Sequence, residues 1–255
     1  MSANVVNKTE ITKLSVLKQC TTQGNVIRLP FIQLDRKLYL EVKKALELIG
    51  GKWKGGKVAG FVFATDPTEL LEEIATGENR NLKKEFQFFE TPPELARRLV
   101  ELADVQFDDK VLEPSAGQGA IIHAINHYGK VGPDCYELMD VNRIVLEKRM
   151  ELKFNLLGED FFKHKGKKYN VIIANPPFSK NQDIDHLMEM YECLEEGGRL
   201  VCITGESWTF GSQKKQVAFR EFLKENEAET YPIDRDTFKA SGTSVGGRII
   251  VMEKY

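Results

Sequence analysis

From Asp109 onward, short apolar runs alternate with longer stretches of helical spacing, and few architectures accept that rhythm. The runs at 109–113, 132–137, 169–174, 198–204 and 247–253 read as strands, with a weaker one at 154–157. Between them, 118–128, 140–150, 182–194 and 214–226 read as helices. Apolar strands separated by helices predict an α/β domain, its mainly parallel sheet covered on both faces. Ligands of such sheets bind beyond the carboxyl ends of the strands, where the strand order reverses. The polar residues directly after each strand therefore carry the most information.

The run Tyr169–Ala174 ends in Asn175-Pro176-Pro177-Phe178. Two prolines remove two N–H donors and fix φ at both positions, which holds the carbonyls in direction. An amide oxygen, an outward carbonyl and a ring at a strand end suit a flat, amine-bearing molecule. The plainer reading is a Pro-rich terminator with a core Phe. After the first strand comes Glu113-Pro114-Ser115-Ala116-Gly117-Gln118-Gly119. Gly117 and Gly119 permit a tight turn and a close ligand, but the full three-glycine dinucleotide fingerprint is absent. Glu113 suits an ammonium group or the organisation of its own loop. Glu137, after the second strand, suits a ribose diol or a surface salt bridge. Asp160 suits the exocyclic amine of an adenine whose face packs on Phe161; the alternative is a capped turn over a core Phe.

Composition sets outer bounds. A 255-residue chain, 42% hydrophobic and 29% charged, fits one large α/β domain with an appendage. No apolar run reaches membrane-spanning length, and the N-terminus lacks a signal-peptide pattern, so a cytoplasmic protein without a membrane partner is expected. Cys20, Cys135, Cys193 and Cys202 stand at no metal-ligand spacing; reduced thiols and no metal are expected.

The first part of the chain has another character. Residues 1–24 are polar and aperiodic and are expected to be partly disordered. Residues 25–29 read as a strand, 38–49 as a helix ended by Gly50-Gly51, and 52–54 with 58–64 as a hairpin. Asp66-Pro67-Thr68-Glu69 reads as a helix start, with Asp66 as cap and Pro67 at the first helical position. A charged stretch follows. Residues 1–85 thus form a small α/β module and 86–255 a second domain. Across residues 1–65, eleven basic residues against four acidic ones leave +7, and the remainder of the chain carries −9. Such asymmetry points to a polyanion. Lys52, Trp53, Lys54 and Lys57 on the hairpin suit phosphate contacts with a stacking ring. The alternative for Trp53 is the core of the module. Lys163, Lys165, Lys167 and Lys168 read as a solvated turn.

Thr91-Pro92-Pro93-Glu94 opens a helix over 92–104, with Thr91 as its cap. That helix, Glu113 to Gly119, Glu137, Asp160-Phe161 and Asn175 to Phe178 follow the order of S-adenosylmethionine-dependent amino-methyltransferases. The chain most resembles DNA adenine-N6 methyltransferases of the class whose Thr-Pro helix precedes the Gly-rich loop. The likeness covers roughly residues 86–255. Phe89-Glu90-Thr91-Pro92 narrows it towards DNA, and Phe238 to Tyr255, with Ser241-Gly242-Thr243, resembles the last hairpin of that catalytic domain. The N-terminal segment resembles phage-type methylases. The family implies a Rossmann-like class I methyltransferase, its seven-stranded, mainly parallel sheet ending in an antiparallel hairpin, with S-adenosylmethionine as cofactor. By the same resemblance, Phe89, Thr91, Pro92 and Gly117 line the methionine end of the cofactor, with Glu113, Pro114, Ala116 and Gly119 in the adjoining loop. Glu137 holds the ribose, Asp160 and Phe161 the adenine, and Leu138 is a further cofactor-binding residue. Asn175, Pro176, Pro177 and Phe178 form the catalytic loop, Asn175 also bordering the cofactor.

An adenine amine is a poor nucleophile because its lone pair is delocalised into the ring. Acceptors gripping both N–H bonds localise that pair and stabilise the charge that develops. Asn175's oxygen and Pro176's carbonyl suit this task, and Phe178 suits stacking on the base. A base inside a duplex cannot reach such a loop, so the enzyme flips it out or takes single strands. Ribosomal RNA guanine-N2 methyltransferases also use Asn-Pro-Pro-Phe, and protein-glutamine methyltransferases use a Tyr variant; the Thr91-Pro92 helix favours DNA over both. A reading from another class is a non-catalytic binding subunit that needs a recognition or restriction partner to find DNA; intact Asn175, Pro176 and Phe178 argue against lost chemistry but not against a partner. Many relatives carry a recognition domain after the last strand, where this sequence stops. DNA contact is therefore expected from the basic module and from the loops after Phe178 and near Trp208.

Overall fold

The computed structural model describes residues 11–77, 90–241 and 246–255. The chain divides into two compact units, Met1–Glu85 and Phe86–Tyr255.

The first unit is a four-stranded antiparallel sheet of order β1-β2-β4-β3, built from β1 (Thr21–Gln23), β2 (Val26–Arg28), β3 (Lys52–Lys54) and β4 (Gly60–Val62). Helices α1 (Lys13–Leu17), α2 (Arg36–Leu48) and α3 (Thr68–Thr76) complete it. Its core joins Val16 and Leu17 of α1, Ile27, Phe61, and Val42 and Leu46 of α2. Within residues 1–24, expected to be partly disordered, Lys13–Leu17 forms a helix tied down by two buried side chains and Thr21–Gln23 pairs with β2. Asp35 caps α2 by accepting from Leu38 N–H at 2.9 Å. At α3 the start shifts by one residue: Pro67 is the cap position, and Asp66 accepts from the Thr68 N–H at 2.9 Å.

The second unit is a seven-stranded sheet of order β10-β11-β9-β8-β5-β6-β7. The strands are β5 (Val111–Glu113), β6 (Asp134–Tyr136), β7 (Asn155–Gly158), β8 (Tyr169–Ala174), β9 (Leu194–Gly205), β10 (Glu229–Ile233) and β11 (Gly247–Glu253). β5 to β9 are parallel, and β11 runs antiparallel to both β9 and β10. Alternate residues feed two cores, as a period of two requires. Leu112, Ile172, Leu200 and Ile250 pack with α7 (Gln182–Glu192) and α8 (Lys214–Glu225). Val111, Val171, Val201 and Val251 pack with α4 (Pro93–Ala103) and α5 (Ala120–Ala124). α6 (Asp140–Glu147) adds Leu146 to a smaller cluster with Ile122 and Cys135.

The last hairpin differs from the expectation in extent. It pairs β10 with β11, so it begins at Glu229, and Phe238 lies in the 3-10 segment Arg235–Ser241 between the strands. Pro232 masks β10 in the sequence, yet it is tolerated because β10 is the sheet edge. Among the described residues no helix is long and apolar enough to cross a membrane, and no group of His, Cys, Asp or Glu has metal-binding geometry.

Candidate functional site

β5 leads onward to β6 on one side, and β8 lies on its other side, so the strand order reverses between β5 and β8. A cleft with a cavity of about 280 Å³ opens at the carboxyl ends of β5, β6, β7 and β8. Its wall takes one segment from each strand end: Glu113–Gln118, Glu137–Met139, Glu159–Phe162 and Asn175–Phe178.

The loop after β5 is held by the acid after β6. Gly117 N–H donates to Glu137 Oε2 at 2.6 Å, and Met139 N–H to Oε1 at 2.8 Å. Asn142 Nδ2 also donates to Oε1, at 3.4 Å. Gly117 adopts φ 56, which only a residue without Cβ takes freely. Burial raises the Glu137 pKa, and the Met139 and Gly117 N–H groups oppose the rise. Both Glu137 oxygens thus accept from protein; the salt-bridge alternative does not describe this site.

Glu113 is fully buried. Its Oε1 accepts from Ser115 N–H at 3.1 Å, and its Oε2 is buried without a hydrogen-bond partner. Burial pushes the carboxyl up to about 8; the Ser115 N–H pulls it down, and the neighbouring Glu137 raises it.

After β7, Asp160 Oδ1 accepts from Phe162 N–H at 3.0 Å and caps a short 3-10 turn. Phe161 is buried against Tyr136, while Phe162 is half exposed at the cleft. The capped-turn reading therefore describes Asp160 and Phe161 as they stand, and both also border the cleft. His186 of α7 stacks on Phe161 at 6.0 Å between centroids and meets Phe162 edge-on at 4.7 Å. Burial lowers its pKa to about 4, so the ring is neutral near pH 7.

At the end of β8, Asn175 Nδ2 donates to Thr91 Oγ1 at 3.0 Å. Thr91 is therefore not the cap of α4; Pro92 occupies the cap position with no side-chain bond, and the Thr91 hydroxyl is spent on the amide. Phe178 is half buried against the core beside Gly205. Asp183 accepts from Gly205 N–H at 2.8 Å, which ties the start of α7 to the end of β9.

The cleft thus gathers Thr91, Glu113, Pro114, Ala116, Gly117, Glu137, Leu138, Asp160, Phe161, Asn175, Pro176, Pro177 and Phe178. Pro92 and Gly119 do not reach its wall. Gly119 supports it from behind, where an added Cβ would lie 2.7 Å from Leu152 and 2.8 Å from Leu146. Phe89 lies outside the described residues, as do Gly242 and Thr243. Gln118, Asn142, Phe162, Gln182, His186 and Phe238 line the cleft without having been singled out. Only Gln182 and His186 left a sequence signal, a four-residue spacing on one helix face.

In the first unit, Lys52, Trp53 and Lys54 are all exposed. Trp53 is 44% exposed and meets Phe61 edge-on at 5.1 Å, so it lies at the margin of the core rather than in it. Of the lysine cluster after Phe161, Lys167 pairs with Asp134 and Lys168 donates to the Glu192 carbonyl.

The fold is that of class I methyltransferases, and the comparisons agree with it. No family model matches the chain. The restriction enzyme and methyltransferase RM.BcgI of Heyndrickxia coagulans is 27% identical over 190 residues, covering 60% of this chain. The chain spans 29% of that relative's length. The type I restriction enzyme EcoKI M protein superposes with a TM-score of 0.54 at 16% identity, over 94% of this chain and 56% of that one. A dimethyladenosine transferase from Plasmodium falciparum gives 0.51 at 14% identity, over 66% of this chain and 64% of its own.

Proposed function

We propose that this chain methylates the N6 amine of adenine in DNA, with S-adenosylmethionine as methyl donor, as the modification module of a restriction-modification system. The observation that carries the reading is the Thr91–Asn175 bond at the strand switch. With Nδ2 bonded to Thr91, the Asn175 amide is held at the strand end in a place suited to gripping an amine, and rigid Pro176 and Pro177 fix the carbonyl beside it. Phe178 adds a half-buried ring for the base.

The donor supplies a methyl group on a positively charged sulfur. The residues present fit it. Glu113 lines the cleft and has a buried, unpartnered carboxyl oxygen, which would suit the donor's ammonium group. Glu137 keeps the Gly117 turn closed and has acceptor capacity left for a diol. Leu138 is 61% exposed at the cleft, an apolar cover awaiting a ring or sugar. Asp160, Phe162 and His186 form a flat, mixed polar and aromatic niche suited to adenine. Likeness to RM.BcgI, named as both restriction enzyme and methyltransferase, supports DNA as the polymer.

The test is incubation of the full chain with labelled donor and DNA, RNA or protein, followed by mass spectrometry of the products. N6-methyladenine in DNA is expected, and Asn175→Ala should abolish it while donor binding persists. Label confined to RNA or protein overturns the reading.

A further inference from the structure

Trp208 and Phe210 are two residues apart and have opposite fates. Trp208 is buried; its Nε1–H donates to Thr204 Oγ1 at 2.9 Å and its ring meets Phe219 edge-on at 5.3 Å. Phe210 is 76% exposed. Both follow β9, at the same end of the sheet as the cleft.

The loop that displays Phe210 is stiff. Thr209 N–H and Oγ1 both bond the Glu206 carbonyl, at 3.1 and 2.8 Å, and Gly211 N–H bonds the Ser207 carbonyl at 2.9 Å. Arg220 donates to the carbonyls of Trp208 and Gly211, on either side of Phe210. A Cβ on Gly211 would lie 1.9 Å from Gln216 Oε1, so the backbone is pressed onto α8. A single exposed apolar side chain is ordinary in itself, and Trp208, two residues earlier, turns inward. This loop instead holds an apolar ring outward on a braced support.

That support is joined to the candidate catalytic loop. Asn181, three residues after Phe178, donates from Nδ2 to Gln213 Oε1 at 2.8 Å and accepts from Gln216 Nε2 at 3.1 Å. Gly205, where β9 ends, packs against Phe178. Exposed Lys180 and Lys214 stand on the two joined segments, and no carboxylate pairs with either among the described residues. An outward ring and two unpaired cations, on segments joined to a site for a flat amine, match a stacked polyanion.

We propose that Phe210 enters the DNA duplex and stacks in the gap left by the extruded base, with Lys180 and Lys214 on the flanking phosphates. This inference rests on the DNA reading above. Extrusion costs the stacking of the target base, and an inserted apolar wedge restores part of it. A rigid ring serves this better than a mobile one, because no ordering entropy opposes insertion.

The experiment compares unmodified native duplex DNA with the same DNA heat-denatured, using the full chain, Phe210→Ala and Phe210→Trp. Phe210→Ala should lower the methylation rate on duplex by about tenfold or more yet leave denatured DNA within about twofold, since single strands need no wedge. Phe210→Trp should restore duplex activity. Equal rates for parent and Phe210→Ala on duplex overturn the wedge and leave the DNA reading intact. An equal loss on both forms also overturns it and assigns Phe210 to a protein contact. Parent activity on denatured DNA alone removes any need for a wedge. Parent activity on neither form overturns the DNA reading and the wedge with it.

Discussion

Glu113 holds a carboxyl group where a charge is hardest to keep. Its side chain is fully buried, one oxygen lacks a partner, and burial raises its pKa to about 8. Near pH 7 it is mostly protonated in the free protein. A cationic donor placed beside it favours the ionised form, so binding at pH 7 should release close to one proton. Calorimetry in buffers of different ionisation enthalpy reads that proton, and affinity should rise from pH 6 to pH 8 and then level off. Stability has the opposite slope. Between the unfolded value of 4.5 and about 8 the folded state holds a proton that the unfolded state has lost, so stability falls as pH rises through that window. Glu113→Gln removes this dependence: it should stabilise the fold by about 1–3 kcal/mol at pH 8, much less at pH 5, and weaken donor binding. Thermal melts at the two pH values check the first part. The acid itself was legible as a polar residue ending an apolar run. Its burial was not, because burial depends on helices packed from elsewhere in the chain. His186 shows the same limit: nothing local marks a helical histidine that two phenylalanines from a distant turn enclose.

At the scale of elements, period and punctuation were legible, while bonds made at a distance were not. Tyr169–Ala174 and Gly247–Glu253 stand where their apolar runs placed them. The helix read over 118–128 is α-helical only to Ala124; a π turn over Ile125–Gly129 widens its last part. β10 escaped notice because Pro232 reads as a strand breaker, and only its edge position makes it acceptable. Thr91 reads as a cap on local grounds, yet an asparagine 84 residues away takes its hydroxyl. Gly119 repeats the theme in the loop after β5. Two glycines there announce a turn, but Gly117 faces the cleft, whereas Gly119, with φ 87, is wedged behind it against Leu146 and Leu152. Gly119→Ala adds a methyl where two leucines stand closer than contact distance and forces a left-handed φ on a residue that resists it. A loss of about 2–4 kcal/mol is expected from these two terms together, measured by denaturant titration. A loss under about 0.5 kcal/mol would mean that the leucines yield freely.

The whole molecule segregates its charge by unit and then by element. Residues 1–85 carry fourteen basic and ten acidic side chains, a net of +4 in a chain of net −2. The acids are not spread evenly. No Asp or Glu occurs between Ile11 and Leu34 or between Leu48 and Thr65, the segments that contain all four strands of the first unit. Its sheet and turns therefore bear only positive side chains, with Arg28 on β2, Lys52 and Lys54 on β3, and Lys57 in the turn to β4. Register strengthens the grouping. Phe61 pairs with both Trp53 and Ile27 on the core face, while Lys52 and Lys54 pair with Val62 and Gly60 on the other, and Arg28 lies against Gly60. Alternation thus turns these three cations to one side of the sheet, away from Phe61. A surface of this kind binds phosphates by releasing counterions, without reading sequence. The triple replacement of Lys52, Lys54 and Lys57 by Ala should weaken binding to duplex DNA. If all three meet phosphates, the slope of log affinity against log salt should flatten by about 2.7. All three side chains are exposed, so the melting temperature should stay within a few degrees of the parent. Affinity measured over a range of salt concentrations separates the outcomes. A parallel line at lower affinity would place the effect in shape rather than charge, and coincident lines would remove the module from the DNA interface.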